Sequence, residues 1–403
     1  MNHSPAAPVR IGVLGLGAVA QAVHLPLMSK RPDLVTIAGI CDLSTDLTTR
    51  IGERFGVPAE HRYSSYADML AHADLDAVMI LSRGSHAEAV LEAFDHRLAV
   101  FCEKPLAFTL AEVDEMIARE PDLGHPAILL AYMKQYDPAV LEAARLLRDI
   151  DDVRSIEAMV LHPTGASQLA FAHVQGSATP LPDAALAAAD AEDRRLWAAA
   201  VGDAEDAVWR SYRGSLVASL AHDLSILRSF GAPATTIDHA DIWRQSSAHA
   251  VRDVGRDRKS FGEHPPSILA IGPLAGGGRV SLGWQYLPDF PAYRETVRVV
   301  HGRGSIELTF PSPYLMHAPT ELTITALDGT TEKREVRRDI TEAFETQLEA
   351  FHNMVRHGVA PLSGLADGRA DILTCQRIVA AYAERVGINV GGEVGERIAE
   401  IRA

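Results

Sequence analysis

The chain has 403 residues, of which 47% are hydrophobic and 23% charged, and its formal net charge is −15. That length exceeds one ordinary core and implies two domains, with enough apolar residue to bury both. The acidic balance speaks against a nucleic-acid partner, because affinity for a phosphate backbone comes mainly from Lys and Arg. Cys41, Cys102 and Cys375 are too few and too scattered for a disulfide framework, and none belongs to a Cys-x-x-Cys or Cys/His cluster. They read as small buried hydrophobes in a reducing compartment, and no metal site is expected. The N-terminal MNHSPAAPVR has no cationic lead into a long apolar run, and the stretch Ile11 to Val23 is broken by Gly12, Gly15 and Gly17. No signal peptide or membrane span is expected, and a cytoplasmic protein is.

The first third alternates strand and helix. Val9–Leu14 reads as a strand, Ala18–Ser29 as a helix, and Leu34–Cys41 as a strand ending at Asp42. Asp46–Phe55 follows as a helix, Ala77–Leu81 as a buried strand and Ala87–Phe94 as a helix. Ala99–Cys102 is a further strand, Leu110–Ala118 a helix, and Ile128–Ala131 a last strand. Continuous apolar strands separated by helices predict a parallel sheet covered on both faces.

The rhythm changes after Tyr136-Asp137-Pro138, so the boundary is expected near residue 135, between domains 1–135 and 136–403. A helix over Ala139–Arg148 leads into a strand near Ile156–Leu161. An Ala- and Asp-rich stretch from Pro182 through Val208, anchored by Leu196, Trp197, Val201, Val208 and Trp209, reads as helix and forms an insertion at about 180–210. Strands with one buried face then follow at Arg279–Tyr286, Glu295–Val300, Ser305–Phe310, Leu322–Leu327 and Glu332–Val336. Helices over Glu342–Arg356 and Gly368–Arg385 close the chain. The fold class is α/β: a nucleotide-type domain followed by an α+β domain.

Gly15-Leu16-Gly17-Ala18-Val19-Ala20 lies between the first strand and the first helix. Gly15 permits the tight turn, Gly17 has no Cβ to block a pyrophosphate, and Ala20 lets the helix pack on the strand. Free N–H groups and the helix dipole face the anion. Asp42, ending the second strand, suits the adenosine ribose hydroxyls and repels a 2′-phosphate. Leu43-Ser44-Thr45 supplies no Arg to welcome that phosphate, so NAD is favoured over NADP.

Two further segments are more specific. Glu103-Lys104-Pro105-Leu106-Ala107 stands directly after the strand Ala99–Cys102, and Ala221-His222-Asp223-Leu224-Ser225-Ile226-Leu227-Arg228 ends near Gly231. With the Gly15 turn, His86 and Tyr132…Tyr136-Asp137-Pro138, the chain resembles the Gfo/Idh/MocA oxidoreductases, most strongly over residues 9 to 138. The resemblance implies a Rossmann domain plus an open-faced, largely antiparallel mixed sheet that often mediates oligomerisation, here into a homodimer or homotetramer. It implies cofactor contacts along the Gly15–Ala20 turn and from Asp42, Leu81, Ser82, His86, Glu103 and Lys104. It implies Lys104 as the catalytic lysine that orients a carbinol oxygen, and His222 as the acid/base. The expected substrate is a sugar, glycoside or cyclitol, with contacts from Tyr132, Lys134, Tyr212, Arg213, Ser215 and Asp223.

The chain also departs from that pattern. Many dehydrogenases of this kind carry an Asp four residues before the histidine, one α-helical turn away, and here that position is Ala218. Asp223 is a poor substitute, and Tyr212, Arg213 and Ser215 are the nearest polar replacements. The loop Ser82-Arg83-Gly84-Ser85-His86 lacks the usual proline. Beside the dehydrogenase reading stand two others: a redox-neutral enzyme that recycles its NAD within a turnover, and a catalytically silent NAD-binding regulator. The 180–210 insertion is expected to roof the site and set substrate size.

Overall fold

The computed structural model describes residues 7–179, 181, 183–244, 265–288 and 290–402. The first residues of the N-terminal segment (1–6) and Pro182, where the helical insertion is expected to begin, lie outside these. The chain forms two compact units. The first takes Met1–Tyr132, Phe171–Arg195 and Phe344–Arg369; the second takes Met133–Ala170, Leu196–Ala343 and Ala370–Ala403.

In the first unit the elements run β1 (Val9–Leu14), α1 (Leu25–Lys30), β2 (Val35–Cys41), α2 (Thr45–Phe55), β3 (Arg62–Tyr63) and α3 (Tyr66–His72). They continue as β4 (Ala77–Ile80), α4 (Ala87–Asp95), β5 (Ala99–Cys102), α5 (Leu110–Arg119) and β6 (Ile128–Leu130). Every strand pair is parallel, in the order β3-β2-β1-β4-β5-β6, which is the Rossmann arrangement. All four residues of β4 and of β5 are buried, as a sheet covered on both faces requires. Side chains start the helices. Ser44 Oγ accepts the Leu47 N–H at 3.1 Å to open α2, and Thr109 and Glu112 form a reciprocal capping box on α5.

The expected helix Ala18–Ser29 is not uniform. Ala20–His24 forms a π-helical turn that runs into α1. Pro26 brings no N–H to the ladder, and the turn before it opens to the wider i→i+5 spacing.

The second unit begins with α6 (Pro138–Leu147), β7 (Val153–His162) and the short α7 (Gly165–Leu169). Then come α8 (Asp183–Val201), whose residues up to Arg195 belong to the first unit, α9 (Asp206–Ser211) and α10 (Ala221–Ser229), with a π-helical run over Tyr212–Leu220 leading into α10. The strands β8 (His239–Trp243), β9 (Ser267–Pro273), β10 (Arg279–Tyr286), β11 (Arg294–His301), β12 (Gly304–Phe310), β13 (Glu321–Asp328) and β14 (Thr331–Arg338) follow. The helices α11 (Ala343–His357), which belongs to the first unit from Phe344 on, α12 (Leu365–Val386), which belongs to the second from Ala370 on, α13 (Gly392–Glu396) and α14 (Ile398–Arg402) end the chain. The eight-stranded sheet has the order β14-β13-β12-β11-β7-β10-β9-β8. Only β7 and β10 pair in parallel; the other pairs are antiparallel. This is the mixed, largely antiparallel sheet that was expected, with β8 and β9 added.

The Ala-rich stretch is two helices rather than one. Gly202 separates them at φ 75°, and a Cβ there would meet the Gly391 backbone nitrogen at 2.3 Å. No larger residue fits that approach.

Candidate dinucleotide and catalytic site

The glycine turn closes the carboxyl end of β1. Gly15 N–H donates to Cys41 O at 2.8 Å, and Leu81 N–H donates to Leu14 O at 2.7 Å, so the turn sits between the ends of β2 and β4. At Gly15, with φ 93°, a Cβ would lie 2.6 Å from Ser82 N, so glycine is obligatory. A Cβ on Gly17 would meet nothing within 4 Å; it would project into open space, where a pyrophosphate needs room. Leu16 and Ala20 are fully buried, fixing the turn to the sheet.

Asp42 is clamped to this turn. Its Oδ2 accepts the Leu16 N–H at 2.9 Å, and its Oδ1 accepts the Ser44 N–H at 2.9 Å. Each carboxylate oxygen keeps a lone pair, so the pair of ribose hydroxyls fits an acid already oriented. These residues suit a dinucleotide without rearrangement.

One strand further along, Glu103 N–H donates to Ile80 O at 3.0 Å and carries the chain over the sheet edge into Lys104. The Glu103 carboxyl is 7% exposed. Its Oε2 accepts the Lys104 N–H at 3.1 Å, and His24 Nε2 lies 3.2 Å from Oε1. Burial alone would raise its pKa; the His24 contact and the Lys104 charge outweigh that and hold it below the ordinary value. Lys104 is half-buried, and its bond to Pro105 is cis. His86 is buried with Nδ1 2.8 Å from Glu103 O and Nε2 2.7 Å from Ser82 O. Burial lowers its pKa although both carbonyls and the Glu103 charge act the other way. It therefore braces Ser82 against Glu103 across the ends of β4 and β5. His24 is the residue that sequence reading missed. Its only signal was a histidine in the helix after the glycine turn, and the π-helical phase decides where it points.

In the second unit His222 lies in the first turn of α10 and is 9% exposed. Ser225 Oγ donates to its carbonyl at 2.6 Å. Ala218 stands in the π-helical run, so the α-helical spacing rule that would stack position 218 on position 222 does not carry over unchanged. Lys134 and Asp223 meet in a buried cluster. Lys134 is ion-paired to Glu295, which also accepts the Tyr293 hydroxyl. Asp223, 1% exposed, has no donor on either oxygen and faces the Glu295 carboxyl. Burial and the Glu295 charge push its pKa well above the carboxylate range. Tyr212 and Ser215 are fully buried, while Arg213 is exposed and lies over the Trp197 ring at 4.7 Å. Tyr132, which ends the first unit, is also buried. Of the expected substrate contacts, only Arg213 reaches an exposed surface.

Among the described residues no group of three or more His, Cys, Asp and Glu could hold a metal ion, and no helix is long and apolar enough to cross a membrane.

The glycine turn opening into space, the acid clamped beside it and Lys104 stand at one edge of a parallel sheet of Rossmann order. Residues 9–129 match the family described as "Oxidoreductase family, NAD-binding Rossmann fold". Over these residues, rather less than a third of its length, the chain is similar to the Gfo/Idh/MocA oxidoreductases.

The inositol 2-dehydrogenase 3 of Saccharopolyspora erythraea is 31% identical over 140 residues, 34% of this chain and 40% of that protein. The inositol 2-dehydrogenase of Gluconacetobacter diazotrophicus is 32% identical over 152 residues, 37% of this chain and 44% of that one. The chain thus matches about two fifths of the length of these relatives. Solved structures carry the likeness of fold across nearly the whole chain. An oxidoreductase domain protein from Kribbella flavida superposes with a TM-score of 0.70 at 17% identity, covering 94% of this chain and 98% of its own. The aldose-aldose oxidoreductase of Caulobacter crescentus does so with a TM-score of 0.68 at 18% identity, covering 96% and 99%.

Proposed function

We propose that the protein is an NAD-dependent oxidoreductase that transfers a hydride between the nicotinamide and a secondary alcohol or ketone of a cyclitol, sugar or glycoside. The observation that carries this reading is Lys104, set by the buried Glu103 at the sheet edge that also holds the glycine turn. A lysine whose backbone is held at that edge brings a cation to the end of the sheet where a bound nicotinamide would react.

Bound NAD would supply the hydride acceptor. The chain's own groups do the rest. The Gly15–Ala20 turn, with Leu16, Ala18 and Val19, presents backbone N–H groups to the diphosphate. Asp42 takes the adenosine ribose, and Leu81, Ser82 and His86 shape the nicotinamide end. NAD is favoured over NADP because a 2′-phosphate would meet the Asp42 carboxylate with no Arg at Leu43, Ser44 or Thr45 to offset it. Lys104 Nζ orients the carbinol oxygen and stabilises the developing alkoxide, and His222 accepts the proton. Lys134 and Asp223 support α10 from within the second unit rather than touching substrate. The inositol 2-dehydrogenases among the relatives make a cyclitol the first substrate class to test.

The outward residues of β7 and β9, among them Met159, Leu161, Leu269 and Ile271, are half-buried and apolar. We assign this face to a homodimer or homotetramer contact. Free, buried Cys41, Cys102 and Cys375 suit a reducing, cytoplasmic setting.

The test is NADH formation by purified protein with inositols, sugars and glycosides. Turnover on at least one supports the reading. Tight NADH binding with no turnover in either direction leaves the regulator reading, which Ala218 favours.

A further inference from the structure

Residues 171–195 belong to the first unit, and several of their hydrogen bonds run to residues that follow β1 and β2. Gln21 stands just past the glycine turn and is 2% exposed. Its Nε2 donates to Leu16 O at 2.7 Å and to Gln175 O at 2.9 Å, while its Oε1 accepts the Gln175 N–H at 2.8 Å. One carboxamide therefore satisfies both backbone groups of Gln175 and also grips the turn. Two residues on, Ser177 Oγ lies 2.7 Å from Ser44 Oγ, and Ala178 N–H donates to Asp46 Oδ2 at 2.8 Å. Arg50 reaches over from α2, donating to Gln175 Oε1 at 2.9 Å and to Gly176 O at 2.6 Å.

The same segment is anchored again on α8. Asp190 and Asp193 lie 2.8 and 3.8 Å from Arg83 Nη2, and Asp193 Oδ1 lies 2.9 Å from where a Cβ of Gly84 would stand. Gln21, Ser44 and Arg83 follow the carboxyl ends of β1, β2 and β4, and β1 lies between the other two. The segment is thus tied down on both sides of the glycine turn. Between residues 173 and 179 it has no regular structure and no fully buried residue, and its hydrogen bonds to Gln21, Ser44, Asp46 and Arg50 tie it down. Such a segment opens at low cost.

We propose that residues 175–178 form the outer wall of the adenosine end of the dinucleotide site, and that their release from Gln21 and Arg50 gates cofactor exchange. The wall stands beside Ser44, two residues from the acid assigned to the ribose, so it faces the adenosine rather than the nicotinamide. This inference rests on the dinucleotide reading. Its consequence is a cofactor that leaves slowly compared with one lying in an open crevice.

The experiment uses the full chain and NADH as the probe. Backbone hydrogen exchange at residues 174–178 is measured with and without NADH, and NADH release is followed in a stopped-flow chase with excess NAD. The wall predicts that NADH slows exchange there. It also predicts that Arg50→Ala speeds release on the order of tenfold or more, through loss of two charge-assisted hydrogen bonds. Arg119→Ala, which removes an exposed ion pair with Asp95 elsewhere in the unit, should leave release unchanged. If the wild type binds NADH without protecting 174–178, the wall is wrong and the dinucleotide reading stands. If NADH does not bind at all, both are wrong. The exchange measurement needs no variant, so it decides the matter even if Arg50→Ala fails to fold.

Discussion

His24 Nε2 lies 3.2 Å from Glu103 Oε1 in the interior of the first unit, so a residue of the first crossover helix holds the acid that positions Lys104. The imidazole also packs edge-on against Phe101, with ring centroids 5.2 Å apart. Replacing it leaves a buried carboxylate short of a partner. His24→Leu should cost about 2 kcal/mol of stability, the usual penalty for orphaning a buried charged acceptor. It should also lower kcat by about tenfold through a loosened Lys104, with NADH affinity nearly unchanged. Urea unfolding and a KM-against-kcat comparison check this; equal loss of NADH affinity and turnover would assign His24 to cofactor binding instead.

Asp42 should set the choice of dinucleotide. Asp42→Ala removes the acceptor of the Leu16 and Ser44 N–H groups as well as the repulsion of a 2′-phosphate. NAD affinity should fall, while the ratio of kcat/KM for NADP over NAD rises on the order of tenfold or more. Initial rates with both cofactors decide it, and an unchanged ratio would remove Asp42 from discrimination.

The Asp223–Glu295 pair gives a pH dependence of defined sign. Burial and the Glu295 charge raise the Asp223 pKa, so its folded value lies above its unfolded one. A raised pKa contributes stability that is present below the unfolded value and is lost as pH rises toward the folded one. Asp223→Asn keeps a neutral side chain at that place. Its melting temperature relative to the wild type should therefore rise from about pH 4 toward neutrality, where the unfolded carboxyl ionises. A difference that stays flat over this range would show that Asp223 is ionised in the folded protein.

Much of this was legible in the chain itself. Apolar runs such as Ala77–Ile80 and Ala99–Cys102 can only be buried strands, and Gly15, Gly17 and Asp42 have steric and electrostatic requirements that sequence spacing expresses directly. What stayed hidden depends on phase and long-range packing. The π-helical turn at Ala20–His24 aims His24 at Glu103, and no local propensity announces it. The run over Tyr212–Leu220 likewise changes the spacing on which the comparison of Ala218 with His222 relied. β8 and β9 are short or flanked by polar sequence, and their membership of the sheet is set by pairing with β10. Lys134 and Asp223 read as polar residues available to a substrate, yet Glu295, far along the chain, pairs the one and, with burial, raises the pKa of the other.

Hydride transfer assisted by Lys104 can be followed by deuterium tracing. Protein supplied with NADH carrying deuterium at the transferable position is incubated with keto-inositols and keto-sugars, and the recovered alcohols are examined for label. Carbon-bound deuterium is expected in at least one product. A rate about a thousandfold lower is expected for Lys104→Ala, while that variant still binds NADH normally. Label transfer undiminished in Lys104→Ala, or none with any ketone in a wild-type protein that binds NADH, would contradict hydride transfer assisted by Lys104.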